Sequence, residues 1–190
     1  WNLVNNPFPS TVDWDLMTRN GSVSGTVAVW NTTTSSYDYW NGSTGNLTNG
    51  LIASGQAFWV QTNGSSPTLS IPESSKATSS TSFLRSSEDG EENILIVSLA
   101  KADTVDRTYV HFREDATDGF DTEYDGRKLV NGIFNLYSLS SGADELSINS
   151  LSASDCQTSI DLGFYQLLYD TDDDIYYQGF IPSQYNISLE

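Results

Sequence analysis

The chain sets 25 Asp and Glu against eight Lys and Arg over 190 residues, a net charge of −17, with one His and one Cys. A field of that sign repels phosphate backbones and anionic lipid, which argues against nucleic-acid and lipid-surface partners. No apolar run approaches the ~20 residues of a membrane-spanning helix, so no membrane insertion is expected, and a lone His with a lone Cys cannot fill a zinc shell.

Hydrophobic residues make up 37% and aromatic residues 12%, enough to close a core without disulfides. Cys156 has no partner for an internal bridge and reads as a buried, inert thiol. Helical spacing of apolar residues is absent, while strand alternation recurs. Residues 26–30 (TVAVW) alternate, residues 31–36 (NTTTSS) turn, and residues 37–40 (YDYW) return, predicting a hairpin. Residues 57–61 (AFWVQ) and 68–71 (TLSI) predict a second pair around Asn63-Gly64. Residues 73–82 (ESSKATSSTS) read as a linker or long crossing loop. Beyond it, residues 93–99 (NILIVSL) suit a fully buried central strand, and residues 108–113 (TYVHFR) alternate. Further strands are expected near 136–139, 145–148, 159–162, 165–169, 175–179 and 185–189, with a short helix at 123–129.

This spacing predicts an all-β, antiparallel sandwich or jelly-roll-like fold. All five Trp lie in the first 59 residues and the acidic runs mostly after residue 88. That shift predicts two packed β modules, a Trp-rich one over 1–76 and an acidic one over 77–190; the alternative is one continuous β domain. The sequence opens at Trp1 in what reads as a strand and closes inside the strand-like 185–189, so it reads as an excised piece of something longer.

Residues 1–14 (WNLVNNPFPSTVDW) resemble a WNLVGNPFPS-x-IDW pattern found in large proteins exported by the bacterial type IX secretion system. Residues 55–60 (GQAFWV) resemble the GQAFFV segment that follows it there. Residues 116–121 (ATDGFD) with Tyr124-Asp125 and Lys128-Leu129 resemble a third segment, and 146–151 and 162–164 continue in the same order. Asn5 stands where that pattern has Gly, and Gly126 where it has Ala. The resemblance implies a β-rich module preceding a C-terminal sorting domain in an exported or cell-surface protein; it implies an address, not an activity. Read physically, Pro7 and Pro9 make residues 6–10 a rigid turn, with Trp1 and Trp14 placed to seal one end of a sandwich.

Two acidic clusters have the hard oxygen donors that Ca²⁺ prefers. Asp170, Asp172 and Asp174 stand at alternate positions of a loop, though Ile175 replaces the Gly of an EF-hand; Asp115, Asp118, Asp121 and Asp125 surround Gly119 and Gly126. The competing reading makes these carboxylates turn caps. Trp30, Tyr37, Tyr39 and Trp40 form the candidate sugar platform: Tyr39 and Trp40 point to opposite faces, so one of them is expected to be exposed, the alternative being that most of these rings fill a core. His111 shares a half-exposed strand face with Tyr109 and Arg113 and has no G-x-S-x-G elbow, so it reads as structural rather than catalytic. Asp103-Thr104-Val105 resembles an O-glycosylation acceptor of such bacteria, placing a modification at Thr104; the six Asn-x-Ser/Thr sites reflect turn chemistry.

The expectation is a non-enzymatic, extracellular or cell-surface module for adhesion or structural presentation, in contact with a cell-surface glycan or partner protein. The alternatives are a carbohydrate-binding accessory of a polysaccharide-degrading enzyme, or a self-assembling filament subunit. Ca²⁺ is the single cofactor considered.

Overall fold

The computed structural model describes residues 1–78, 93–153, 159–169, 175–177 and 186–189. Its strands in chain order are β1 (Asn2–Asn5), β2 (Val12–Asp13), β3 (Thr18–Arg19), β4 (Val23–Asn31), β5 (Ser36–Trp40), β6 (Leu51–Ile52), β7 (Ala57–Thr62), β8 (Leu69–Ser70), β9 (Ile94–Lys101), β10 (Thr104–Arg113), β11 (Gly126–Arg127), β12 (Phe134–Leu139), β13 (Glu145–Ser152), β14 (Leu162–Tyr169), β15 (Ile175–Tyr177) and β16 (Asn186–Leu189). Single 3-10 turns at Trp14–Leu16, Thr48–Gly50 and Glu73–Ser75 are the helical pieces among the described residues. The all-β expectation is met.

Two sheets carry the fold. The first is antiparallel in the order β1-β7-β4-β5; the second runs β15-β14-β12-β13-β10-β9-β16, with β11 beside β13, and curls into a half-barrel. Among the described residues its one parallel pair is β10–β13. A parallel pair needs a long crossover, and the chain between these strands supplies it: the acidic loop 114–125, β11 and β12.

Alternation along each strand sorts side chains into three stacked clusters. On β4, β5 and β7, Val27, Val29, Trp40, Phe58 and Val60 face one way and bury against Val12, Trp14, Met17, Leu47 and Ile52. Ala28, Tyr37, Tyr39 and Trp59 face the other way and pack on Ile94, Ile96, Tyr109 and Ile148 of the second sheet. The opposite face of that second sheet gathers Val97, Leu99, Phe134, Leu136 and Phe164. The first sheet is therefore covered on both faces. Each large side chain buried there contributes about 1.5–3 kcal/mol.

The sheets are also held by backbone. β4 bulges between Val23 and Val27, and the end of the acidic loop crosses it there. Gly25 N–H donates to Thr122 C=O at 3.0 Å, and the Thr26 hydroxyl donates to Asp125 C=O at 2.8 Å. A Cβ on Gly25 would lie 2.2 Å from the Glu123 carbonyl oxygen, and one on Gly126 2.8 Å from Thr26 Cγ2. At these two positions glycine permits an approach that any side chain would block.

The proline-rich turn is fixed by Asn6, which is 1% exposed. Its Nδ2 donates to the carbonyls of Ser10 and Ala53, both at 2.9 Å, and its Oδ1 accepts from Phe8 N–H at 3.0 Å. Trp14 is fully buried and donates from Nε1 to Gly25 C=O at 2.6 Å, whereas Trp1 is 36% exposed.

Several expectations need correction. Strands 57–61 and 68–71 do not pair: β7 lies between β1 and β4, and β8 joins β3. The loop at Asn63-Gly64 is pulled away instead, with Asn63 N–H bonded to Ser22 C=O and Gly64 packed under the Ser22 side chain. Residues 159–161 form no strand of their own; a single strand starts at Leu162 and runs through 165–169, with the Tyr137 ring covering Gly163 and keeping the glycine in register. The helix expected at 123–129 does not form, since Gly126 and Arg127 pair with β13. Residues 73–78 of the expected linker are tied back to the first half: Val12 bridges Lys76, and Ala77 N–H donates to Thr11 C=O at 3.0 Å. Residues 79–82 lie outside the described residues.

Gly25→Ala is expected to lower stability by about 1–3 kcal/mol, the cost of overpacking a closed contact, whereas Gly21→Ala, with open space around its Cα, is expected to have little effect. Urea denaturation of both variants checks this.

Candidate functional site

The aromatic hairpin β4–β5 divides sharply. Tyr39 is 1% exposed, and its Oη accepts from Leu129 N–H at 2.8 Å. Trp40 is 9% exposed and donates from Nε1 to Asp15 at 3.1 and 3.2 Å. The expectation that one of this pair faces solvent fails because both sides of the first sheet are covered; neither ring is free to meet a ligand. Trp30 and Tyr37 remain. They pair across the strands, ring centroids 4.9 Å apart and edge to face at 71°. Trp30 is 38% exposed, and Tyr37 is half-buried and bonded to the Trp59 side chain; burial raises its phenol above the ordinary value. Asn131 Oδ1 reaches this end of the hairpin to accept from Tyr37 N–H at 3.2 Å, and its neighbour Val130 and nearby Ile133 are exposed.

The acidic loop engages most of its carboxylates with internal donors. Asp115 is gripped by Arg113 Nε and Nη2 at 2.9 and 3.2 Å and accepts from Tyr124 Oη at 2.9 Å, which holds its carboxyl down at about 2. The Arg113 guanidinium also lies 4.2 Å from the Tyr124 ring centre. Asp121 Oδ2 accepts from Thr117 N–H and Oγ1, at 2.7 and 2.9 Å. Asp125 is fully buried: Oδ1 accepts from Ser150 N–H at 2.6 Å and Oδ2 from Asp121 N–H at 2.7 Å. Burial dominates and lifts its carboxyl to about 7. Asp118 places its carbonyl under Ser141 N–H and leaves Oδ1 shielded without a hydrogen-bond partner among the described residues. Among the described residues no group of three or more His, Cys, Asp or Glu could hold a metal ion. Asp170, Asp172 and Asp174, and Cys156, lie outside the described residues. Thr104 opens β10 just after the exposed turn residues Ala102 and Asp103, and is half-buried.

His111 sits where the sheets meet. His111 and Arg113 are half-buried, in line with the expected half-exposed face, but Tyr109 beside them is 4% exposed against the first sheet. His111 Nδ1 lies 2.6 Å from Thr44 Oγ1, and burial lowers its pKa, helped by Arg113 and opposed by Asp115. The open depression beside it, about 570 Å³, is lined by Asn93, His111, Arg113 and Asp115 among others, with the ionic pair already mutually satisfied.

Sequence reasoning missed a buried ion pair. Lys128 Nζ lies 2.7 and 2.5 Å from the two Asp106 oxygens, and both side chains are 1% exposed. Asp106 Oδ2 also accepts from Leu136 N–H at 2.8 Å, so one carboxylate ties β10, β12 and the segment after β11. Desolvation pushes the Lys128 pKa down while Asp106 pulls it up. Deleting one partner of such a pair costs about 3–5 kcal/mol. The signal was present in phase: Asp106, Thr108 and Val110 share one face of β10, all buried. Asp38, buried on β5, accepts from Asn31 and Asn46 at 2.9 and 2.5 Å; burial raises it to about 6.

The family described as a domain of unknown function (DUF8693) matches residues 1–171, and the chain belongs to it. No curated protein and no solved structure matches the chain.

Asp125 and Asp38 bind protons more tightly folded than unfolded. Between the ordinary Asp value of 3.8 and their raised values the native state holds more protons, so stability rises as pH falls through that window. Asp125 alone contributes at most about 4 kcal/mol of this dependence. The urea midpoint is expected to be higher at pH 5 than at pH 8, with a shallower slope in Asp125→Asn; equal slopes in both proteins would refute the assignment.

Proposed function

We propose that this DUF8693 chain is a non-catalytic module of an exported or cell-surface protein, serving adhesion or the structural presentation of attached domains. One observation carries the reading: the buried ionisable groups Asp38, Asp106, Asp125 and Lys128 are each engaged by internal donors or an opposite charge, so they act as ties between strands and loops. A catalytic acid or base must reach a substrate proton, and these groups face the interior. The extracellular address rests on the resemblance of the WNLVNNPFPS and ATDGFD segments to exported proteins and on the acidic composition.

A neutral glycan is the contact that the surface favours. Trp30 offers an exposed ring braced by Tyr37, beside the exposed Thr32 and Thr33 hydroxyls. Sugar CH faces stack on such rings, and a charge of −17 disfavours anionic polysaccharides.

Affinity electrophoresis against neutral polysaccharides tests both parts. Retention is expected for the native chain and is lost in Trp30→Ala, with the polysaccharide recovered at unchanged length. Shortened polysaccharide would contradict the non-catalytic reading, and retention unaffected by Trp30→Ala would contradict the site.

A further inference from the structure

The two edges of the first sheet are treated differently. On β5 the outward-facing groups are Tyr37 N–H, Tyr39 N–H, Tyr39 C=O and Tyr37 C=O. Asn131 Oδ1 takes the first at 3.2 Å, Asn46 Oδ1 the second at 2.8 Å, and Leu47 N–H donates to the third at 2.9 Å. Three of the four groups on that edge are thus taken up by side chains and loop.

The β1 edge differs. β1 pairs with β7 in a register that places Asn5 opposite Ala57 and Leu3 opposite Trp59. Asn6 N–H donates to Gln56 C=O at 3.0 Å, and antiparallel pairing alternates bonded and non-bonded residues. Asn2 and Val4 therefore bond inward to β7, leaving the N–H and C=O groups of Leu3 and Asn5 directed outward. No partner for these four groups occurs among the described residues. The Leu3 side chain is 58% exposed and Trp1 36%. The devices that normally guard an edge, charged side chains, a bulge or a proline within the strand, are absent from β1. In a chain of −17, residues 1–12 carry no charged side chain.

We infer that β1 is a strand-pairing edge through which two copies of this chain join their first sheets. An antiparallel two-fold through Leu3 sets Leu3 against its mate, as a bonded pair with reciprocal N–H to C=O bonds, and Trp1 against Asn5 of the other copy. The arrangement is self-complementary, as a two-fold contact must be. It covers the exposed leucine and brings no carboxylate to the seam, so an acidic body meets its copy along an edge without charged side chains. A four-residue seam is small against the roughly 1,200 Å² of a standard interface, so the pairing is weak and concentration-dependent.

Sedimentation equilibrium of the 190-residue chain, up to millimolar concentration, tests this. The weight-average mass is expected to rise from 20.9 kDa toward twice that value, and more so at high salt, which screens the repulsion between acidic bodies. Leu3→Lys sets two like charges face to face and is expected to weaken association about tenfold or more. Leu16→Lys, at another exposed leucine, is expected to leave it unchanged. In a Cys156→Ser background, Leu3→Cys is expected to cross-link on oxidation, because paired Cα atoms about 5.5 Å apart suit a disulfide. A mass that stays monomeric throughout, a Leu3→Lys variant that associates as well as the native chain while keeping its circular dichroism, or dissociation by salt would each overturn the proposal. The last would point to a contact between opposite charges.

Discussion

The close passage of the acidic loop across β4 is what the remaining structure depends on. At Gly25 the backbone of residues 122–125 lies directly against the strand, closer than a methyl group allows. This contact sets the height at which the second sheet rides over the first. Tyr39 can then reach Leu129 N–H, and Ala28 can meet Tyr109 and Ile148. The bulge that admits the loop also re-aims β4, which a regular strand would not do. One local irregularity thus aligns two sheets whose residues lie far apart in sequence.

The charged groups follow the same logic. An acidic chain repels itself, and that repulsion acts against compaction. Here many of the acids are converted into connectors: Asp115 to Arg113 and Tyr124, Asp121 to the Thr117 turn, Asp125 to β13, and Asp106 to β12 and Lys128. The exposed pairs add little, since solvent screens them. The buried ones add specificity of position, because a misplaced strand would strand a charge in the core. Three of the carboxylates read in the sequence as candidate calcium ligands, Asp115, Asp121 and Asp125, each tie a loop or strand to its neighbour.

Much of this was legible in the sequence. The alternation of residues 26–30 and 37–40 located a hairpin, and Val27, Ala28 and Val29 divide between its faces as the pattern requires. The Pro7-Phe8-Pro9 turn was readable because proline restricts the backbone regardless of context. Pairing was less readable. Asn63-Gly64 is a good turn, yet whether it closes a hairpin depends on Ser22, forty residues away. The fate of Tyr39 and Trp40 was hidden for a related reason: alternation says that two side chains point oppositely, but not whether a second sheet covers both sides. Lys128 was hidden by its partner's position, since nothing near it in sequence marks Asp106 as its counter-charge. The edge contrast between β1 and β5 likewise emerges only once Asn46 and Asn131 are seen to fold over one side.

The central claim is that the two stacked sheets stand or fall together through the Tyr39 face and the Gly25 crossing. All five tryptophans lie within residues 1–59, so indole emission reports the first sheet and, through Trp59, its contact with the second, while far-ultraviolet circular dichroism reports the strands of both. Following urea unfolding of the chain by both signals is the most direct measurement. Superimposable transitions with one midpoint are the result this account predicts; an emission change separated from the dichroism change by a plateau would contradict it.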